Sequence, residues 1–309
     1  MTSLGVEELY RKIADSTSDW EYWLDPQGNY VFLSPACERL TGYAREEFLA
    51  DPGLVERLVH PDDRAGFEQH IERVHVDEQQ RKAIEIELRI IARDGSERWI
   101  NHRCAGMFDP DGRYLGRRAS NVDVSRYKLA EEKLLLLNRE LLAVRDSART
   151  VLRATDELKL LRDVCRIMCN TAGYRMAWIG LVEHDEGKTV RPVAWSGVED
   201  GYLASVGITW ADTERGRGPT GTAARTGKST VIADYASDPT GRPWRTRAYQ
   251  RGYRSSAAIP LLGPGGEIFA VLNVYGSEPN SFPSGTVSLL EEVAEDLSIG
   301  IGSLRAASG

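Results

Sequence analysis

The sequence predicts an α+β protein of two domains, each an antiparallel sheet packed with helices, joined by one long helix carrying a coiled-coil stripe. Three observations lead there. The 309 residues suffice for two hydrophobic cores of ordinary size. Strand-like runs bounded by Gly, Pro, Asn and Asp fall into two groups, one before residue 125 and one after residue 175. Between them no Gly or Pro occurs from Asp123 to Asn170, and the apolar residues there recur with helical spacing.

Taken in order, Leu4, Leu9 and Ile13 share one stripe, so residues 1–13 read as a short amphipathic helix. Glu21–Asp25 and Tyr30–Ser34 flank the turn Pro26-Gln27-Gly28-Asn29 and read as a hairpin. Short helices follow from Pro35 to about Val76. Among them His60–Arg64 (HPDDR) sets a proline and two acids at a helix start, where the positive end of the macrodipole favours them. Lys82–Arg93, Glu97–Asp109 and Tyr114–Val124 then read as three strands, separated by Asp94-Gly95 and Asp109-Pro110-Asp111-Gly112.

The linking stretch carries Tyr127, Ala130, Leu134, Leu137, Leu141, Val144, Ala148, Val151, Thr155 and Leu158 at gaps of 3 and 4, the seam of a coiled coil over residues 127–158. Glu140 and Arg145 take flanking positions suited to pairing across two parallel chains. A helix folded back on its own domain is the alternative, but so narrow a seam suits a helix partner better, so a parallel homodimer is expected. The helix is expected to continue to about Asn170 and to stop at Gly173. Beyond it, strands are expected at Met176–Glu183, Thr189–Trp195, Thr230–Asp234, Ser255–Leu262 and Glu267–Gly276. Helices are expected at Thr220–Thr226, around Trp244–Tyr253 and at Ser284–Leu304.

Two resemblances follow. The order β-β, helices, β-β-β, with LSPACERLTGY (33–43), HPDD (60–63), RDGSERWI (93–100) and DVS (123–125), resembles the PAS sensory domain over residues 14–126. That resemblance implies a five-stranded sheet cupping a small pocket, and a pairing between Asp123 and the basic residue of the strand turn, Arg93, with Asp123 and Ser125 as the hinge into the outgoing helix. RMAWIGLV (175–182), GPTGTAARTGK (218–228), YRSSAAIPL (253–261) and IFAVLNVYG (268–276) resemble the GAF sensory domain over about residues 150–305, which implies ligand binding between sheet and loops.

Several chemistries lack their residues. With 28% charged residues and no long apolar run, no membrane span is expected; with no basic-apolar leader, the chain reads as cytoplasmic. A net charge of −7 argues against nucleic-acid binding. Cys37, Cys104, Cys165 and Cys169 form no Cys-x-x-Cys, and His60, His70, His75, His102 and His184 form no His-x-x-x-His, so no metal is expected and the cofactor stays unknown. Haem on His70 or His75, and flavin held without a cysteine adduct, stay open. GTAARTGKS has five residues, not four, between Gly and Gly-Lys, which breaks the phosphate loop and leaves Lys228 solvated. GRGPTG (216–221) has the glycine spacing of a dinucleotide loop but no βαβ unit around it. No nucleophile with a matched base is visible, and no Asn-Lys-Phe-Asp-Glu signature of cyclic-nucleotide GAF domains.

One local feature stands out: nine basic residues against two acids, Asp234 and Asp238, between Arg215 and Arg254, interleaved with aromatics. It reads either as an ordinary solvated surface or as a lid over a small anionic or aromatic ligand. In the second reading Trp178, Trp195, Asp234, Trp244 and Arg254 are the candidate ligand residues, the tryptophans being either core or pocket wall. The expected function is a sensory module that detects a small molecule or redox change and relays it through dimeric helices, seamed by Leu134, Leu137, Leu141, Val144, Ala148 and Val151, to an output domain such as a diguanylate cyclase or histidine kinase that these residues do not include. The alternatives are an enzyme with its site in 215–254, or a dimerisation scaffold without ligand.

Overall fold

A computed structural model describes Lys12, residues 14–76 and residues 82–308, so the helix expected over 1–13 lies, apart from Lys12, outside the described residues. The chain divides into two compact units, Met1–Glu132 and Lys133–Gly309.

In the first unit, β1 (Trp20–Leu24) and β2 (Tyr30–Leu33) form the expected hairpin. The Asp25 carboxylate accepts from the backbone N–H of Gln27 and Asn29, and Gly28 takes φ 87°, which an L side chain resists. Three short helices, α1 (Ala36–Thr41), α2 (Arg45–Ala50) and α3 (Leu54–Leu58), lead to a 3₁₀ turn at Pro61–Asp63 and to α4 (Arg64–Val76). The HPDDR segment does mark that start: the His60 ring nitrogen accepts from Asp62 N–H at 3.2 Å, and Asp63 ties back to Arg89 at 2.7 Å. The long strands β3 (Ile84–Ile91), β4 (Glu97–Phe108) and β5 (Tyr114–Asp123) complete an antiparallel sheet of order β2-β1-β5-β4-β3.

Strand alternation fixes what this sheet faces inward. On β5 Arg117, Ala119 and Asn121 are buried while Arg118 and Val122 are exposed; on β4 Ile100, His102 and Cys104 are buried. The register sets Gly106 beside Arg117, Cys104 beside Ala119, and His102 beside Asn121. Two residues before Ala119 on the same face, Arg117 follows a bulge at Leu115, where Gly116 has φ 114° and a Cβ would meet the Leu24 carbonyl.

α5 (Ser125–Leu152) begins directly after β5. At about 1.5 Å per residue its 28 residues span roughly 42 Å. The unbroken helix expected to Asn170 is corrected here: the chain leaves the helix after Leu152, and Asp156 starts α6 (Glu157–Asn170) by accepting from Lys159 N–H at 2.6 Å. An N-cap of this kind contributes about 1 kcal/mol, and it outweighs continuation of the repeat, so Thr155 and Leu158 are not on the helix of the seam.

The second unit continues with β6 (Met176–Val182), β7 (Val190–Gly197), α7 (Tyr202–Val206), α8 (Pro219–Thr226), β8 (Thr230–Ile232), α9 (Arg245–Gln250), β9 (Ser255–Leu262), β10 (Ile268–Gly276) and α10 (Ser284–Ser308), with sheet order β7-β6-β10-β9-β8. α6 buries Leu160, Leu161, Val164, Cys165 and Met168 together with Leu290, Val293, Leu297 and Ile301 of α10 on one face of this sheet. On the other face Trp178, Tyr202, Tyr235, Trp244, Tyr253 and Tyr275 form an aromatic cluster. α7 carried no signal strong enough to be expected from the sequence.

The seam divides in two. Leu134, Leu137 and Leu141 are 68%, 46% and 48% exposed, and Leu129, Leu135 and Leu136 are exposed as well. Ala143 and Ser147 are buried, and Val144 and Val151 pack against the second unit's own core, so a seam free along its whole length is corrected to one free in its first half. Gly300 of α10 is what admits α5 there, since a Cβ would lie 2.5 Å from Val151 Cγ1. Ala148 is half-buried. Within the chain Glu140 accepts from Tyr174 and Thr286, each at 3.2 Å. No helix among the described residues is long and apolar enough to cross a membrane.

Candidate functional site

The first unit contains a cavity of about 380 Å³ lined by Tyr22, Phe67, Ile71, Tyr114 and Arg117, with Glu56 and the Asp25–Asn29 turn at its edge. Two of its buried polar atoms are unmatched. Arg117 is only 8% exposed, and its buried Nη1 has no hydrogen-bond partner. The hydroxyls of Tyr22 and Tyr30, with ring centroids 5.7 Å apart, are likewise buried without partners. Burial raises the Tyr22 hydroxyl to about 12, against the opposing pull of the Arg117 charge, so it stays a proton donor. A guanidinium beside a neutral phenol in a partly enclosed cavity has the donors that a carboxylate or similar small anion would need.

Beside this cavity His70, His102 and Cys104 cluster, all buried. His75, the other haem candidate, has a side chain outside the described residues. His70 is a haem candidate from the sequence; helical and Cys-x-x-Cys spacings do not reveal Arg117, His102 or Cys104. The available signal was period two, in His102-x-Cys104 and Arg117-x-Ala119-x-Asn121.

The expected GAF-type site is differently filled. Trp178 and Trp244 do line the aromatic cluster, with Trp244 at the wall of a cavity of about 10 Å³. Trp195 is paired with Trp178 in register but is 52% exposed on the edge strand β7. Asp234 accepts from Ala236 N–H in a turn. Arg254 lies 4.0 Å over the Tyr249 ring, and its Nη1 is unpartnered. The five residues are therefore not gathered around one space.

The basic segment has a third role that neither reading anticipated: its arginines hold backbone carbonyls. Arg225 donates to the oxygens of Trp210 and Gly216 at 3.1 and 2.9 Å, Arg247 to Ser205 at 2.6 Å, and Arg251 to Glu199 and Asp200 at 3.1 and 2.5 Å. Lys228 is exposed, as expected. The tyrosine hydroxyls of the cluster are matched: Tyr235 with Ser256 at 2.9 Å, Tyr253 with Met176 and Val198, and Tyr275 with Trp178 at 3.4 Å.

The hinge is also rearranged. Arg93 does not reach Asp123; it pairs with Glu47 at 2.8 Å and stacks over Tyr43. Asp123 stands opposite Ile100 in the ladder, which leaves Arg98, two residues along on the same face, as its partner at 3.9 Å. Asp123 also accepts from Ser125 N–H at 2.9 Å, and Ser125 Oγ accepts from Trp99 N–H at 2.9 Å, which clamps the start of α5 to β4.

Comparison with known proteins accords with these two units. Residues 30–117 match the PAS fold family and residues 154–302 the GAF domain family. A methyl sulfide methyltransferase-associated sensor of Methanosarcina acetivorans is 24% identical over 244 residues, covering 76% of this chain, and the chain spans 22% of that relative's length. Among solved structures, the free methionine-R-sulfoxide reductase of Neisseria meningitidis is similar at 21% identity over 53% of this chain and 89% of its own, with a TM-score of 0.45. The PAS domain of a Colwellia psychrerythraea protein is similar at 23% identity over 40% of this chain and 99% of its own, with a TM-score of 0.34.

Proposed function

We propose, from the premise that this chain is a PAS domain followed by a GAF domain, that it is a cytoplasmic sensory module and not an enzyme, with the PAS cavity receiving a small carboxylate on Arg117. The observation that carries this reading is the unpartnered Arg117 Nη1 in a cavity where the Tyr22 hydroxyl is unpartnered too. A buried unpaired charge is costly, and a ligand carboxylate supplies the missing acceptor.

The relay starts on the same strand. β5 carries Arg117 and ends at Asp123, and α5 follows at Ser125. A ligand that draws Arg117 inward biases the clamp at Trp99 and Ser125, and with it two packings of α5, which needs a difference of only a few kcal/mol. Leu134, Leu137 and Leu141 of a second copy pair with the exposed half of α5 as a parallel homodimer, and the signal passes to an output domain beyond these residues. The nearly closed aromatic cavity supports a second reading for the GAF unit alone, as a constitutive scaffold rather than a receptor.

Isothermal titration of the ligand-stripped full chain with small mono- and dicarboxylates tests the reading. Binding is expected in the native chain and in Arg254→Met, and weakened by about 30-fold or more in Arg117→Met, since losing a charged pairing partner costs about 2 kcal/mol or more. Equal binding by Arg117→Met, or no carboxylate bound at all, overturns it.

A further inference from the structure

The PAS unit holds a second cluster that the anion reading does not use. His70 of α4 meets Cys104 of β4 with Nε2 3.0 Å from Sγ, and a donor atom of His102 completes a group whose members all lie within 4.8 Å of one another. His102 and Cys104 share the inner face of β4 because they are two residues apart. The rings of His70 and His102 meet edge to face, with centroids 5.2 Å apart.

The hydrogen bonds fix the state of His102. Asn121 Nδ2 donates to the Trp20 carbonyl at 3.0 Å, so Asn121 Oδ1 is the atom 2.7 Å from His102 Nδ1, and that nitrogen must donate. Nε2 is then a bare lone pair. His102 is 1% exposed, and its Nε2 has no partner. A histidine oriented by a carbonyl oxygen on Nδ1, with Nε2 unpartnered and a thiol and a second imidazole in the same cluster, resembles a metal ligand with its supporting partner.

We propose that His70, His102 and Cys104 form a three-ligand site for a divalent cation of the zinc class, with Asn121 as the positioning residue and a fourth coordination place left for water or an anion. Two neutral imidazoles and one thiolate suit this ion, and oxygen-seeking cations would not choose them. Tetrahedral bonding sets nitrogen and sulfur roughly 3.5 Å apart, so His70 and Cys104 need to part by only about half an ångström. Loading exchanges the Cys104 thiol proton for the metal and releases that proton to solvent, so affinity rises with pH. The Arg117 charge acts on this cluster. The same charge repels the cation, which favours an anion in the fourth place. The site stands on geometry independent of the carboxylate reading.

The test is titration of the metal-free full chain with Co²⁺, followed by displacement with Zn²⁺. One equivalent is expected to produce a thiolate-to-cobalt charge-transfer absorption, lost in Cys104→Ala, weakened about 100-fold or more in His70→Gln, and weakened about 10- to 100-fold in Asn121→Ala. Cys37→Ala, which alters a buried thiol elsewhere in the same unit, is expected to change nothing. Far-ultraviolet circular dichroism reports folding; should Cys104→Ala fail to fold, His70→Gln and Asn121→Ala decide. Absence of the charge-transfer band in the native chain, its persistence in folded Cys104→Ala, or native affinity in both His70→Gln and Asn121→Ala overturns the site.

Discussion

In the PAS unit the inner face of the sheet carries Arg117, His102 and Asn121, and several buried polar atoms there have no partner; in the GAF unit the aromatic face carries tyrosines whose hydroxyls are already matched within the fold. Both sheets have five antiparallel strands. What differs is the filling: Arg117 Nη1 and the Tyr22 and Tyr30 hydroxyls are buried without partners on the one face, and the tyrosine hydroxyls have partners on the other. At those two faces the space differs likewise, about 380 Å³ against about 10 Å³.

Acid should separate the two units most strongly. Burial lowers His102 from the ordinary 6.5 to about 3, and lowers His70 in the same direction. The unfolded chain takes up these protons first, so PAS stability is full above about 6.5 and is lost as the pH falls from there toward about 3, by an amount on the order of a few kcal/mol. Glu140 in the GAF unit works oppositely. Burial raises its carboxyl above the ordinary 4.5, against its hydrogen bonds from Thr286 and Tyr174, so that unit loses stability as pH rises through the raised value and recovers it in acid. Calorimetry of the metal-free full chain at decreasing pH should show one transition falling and the other holding; a joint fall would erase the contrast.

Next in size, Arg117→Met should stabilise the ligand-free PAS unit by about 1 kcal/mol or more, because it removes an unpaired buried charge, whereas most core substitutions destabilise. Urea unfolding reads the sign, and a clear loss of stability would show that the guanidinium is satisfied in solution. Ser125→Ala removes the acceptor for Trp99 N–H and should lower stability by about 1 kcal/mol while loosening the start of α5, seen as faster amide exchange at Trp99. Leu137→Lys with Leu141→Lys should change folding stability by less than about 0.5 kcal/mol, since both leucines are exposed in a single chain, yet abolish the dimer in ultracentrifugation. A dimer that survives the pair would remove the relay through α5.

Strand positions were legible because turns have strong local chemistry: Asp25 with Gly28 and Asp109 with Gly112 announce their hairpins by side-chain caps and positive φ. The break after Leu152 was less so. Asp156 before Glu157 is a cap signal, but the apolar repeat continues across it, and periodicity alone cannot register a missing turn. The GAF-side site residues looked promising because arginine and aromatic side chains are conspicuous in composition. Their carbonyl partners, brought in from up to 52 residues away, are invisible there. Arg117, His102 and Cys104 were hidden for the opposite reason: each is unremarkable until five strands are aligned in register and one face is closed by α4.

The most direct measurement is calorimetry of the stripped full chain as a carboxylate that binds is added. The acid-sensitive transition should climb with ligand concentration while the other stays fixed, as mass action requires when only one folded unit has the site. A rise confined to the acid-insensitive transition, or no movement of either, would contradict the assignment of the receptor to the PAS core.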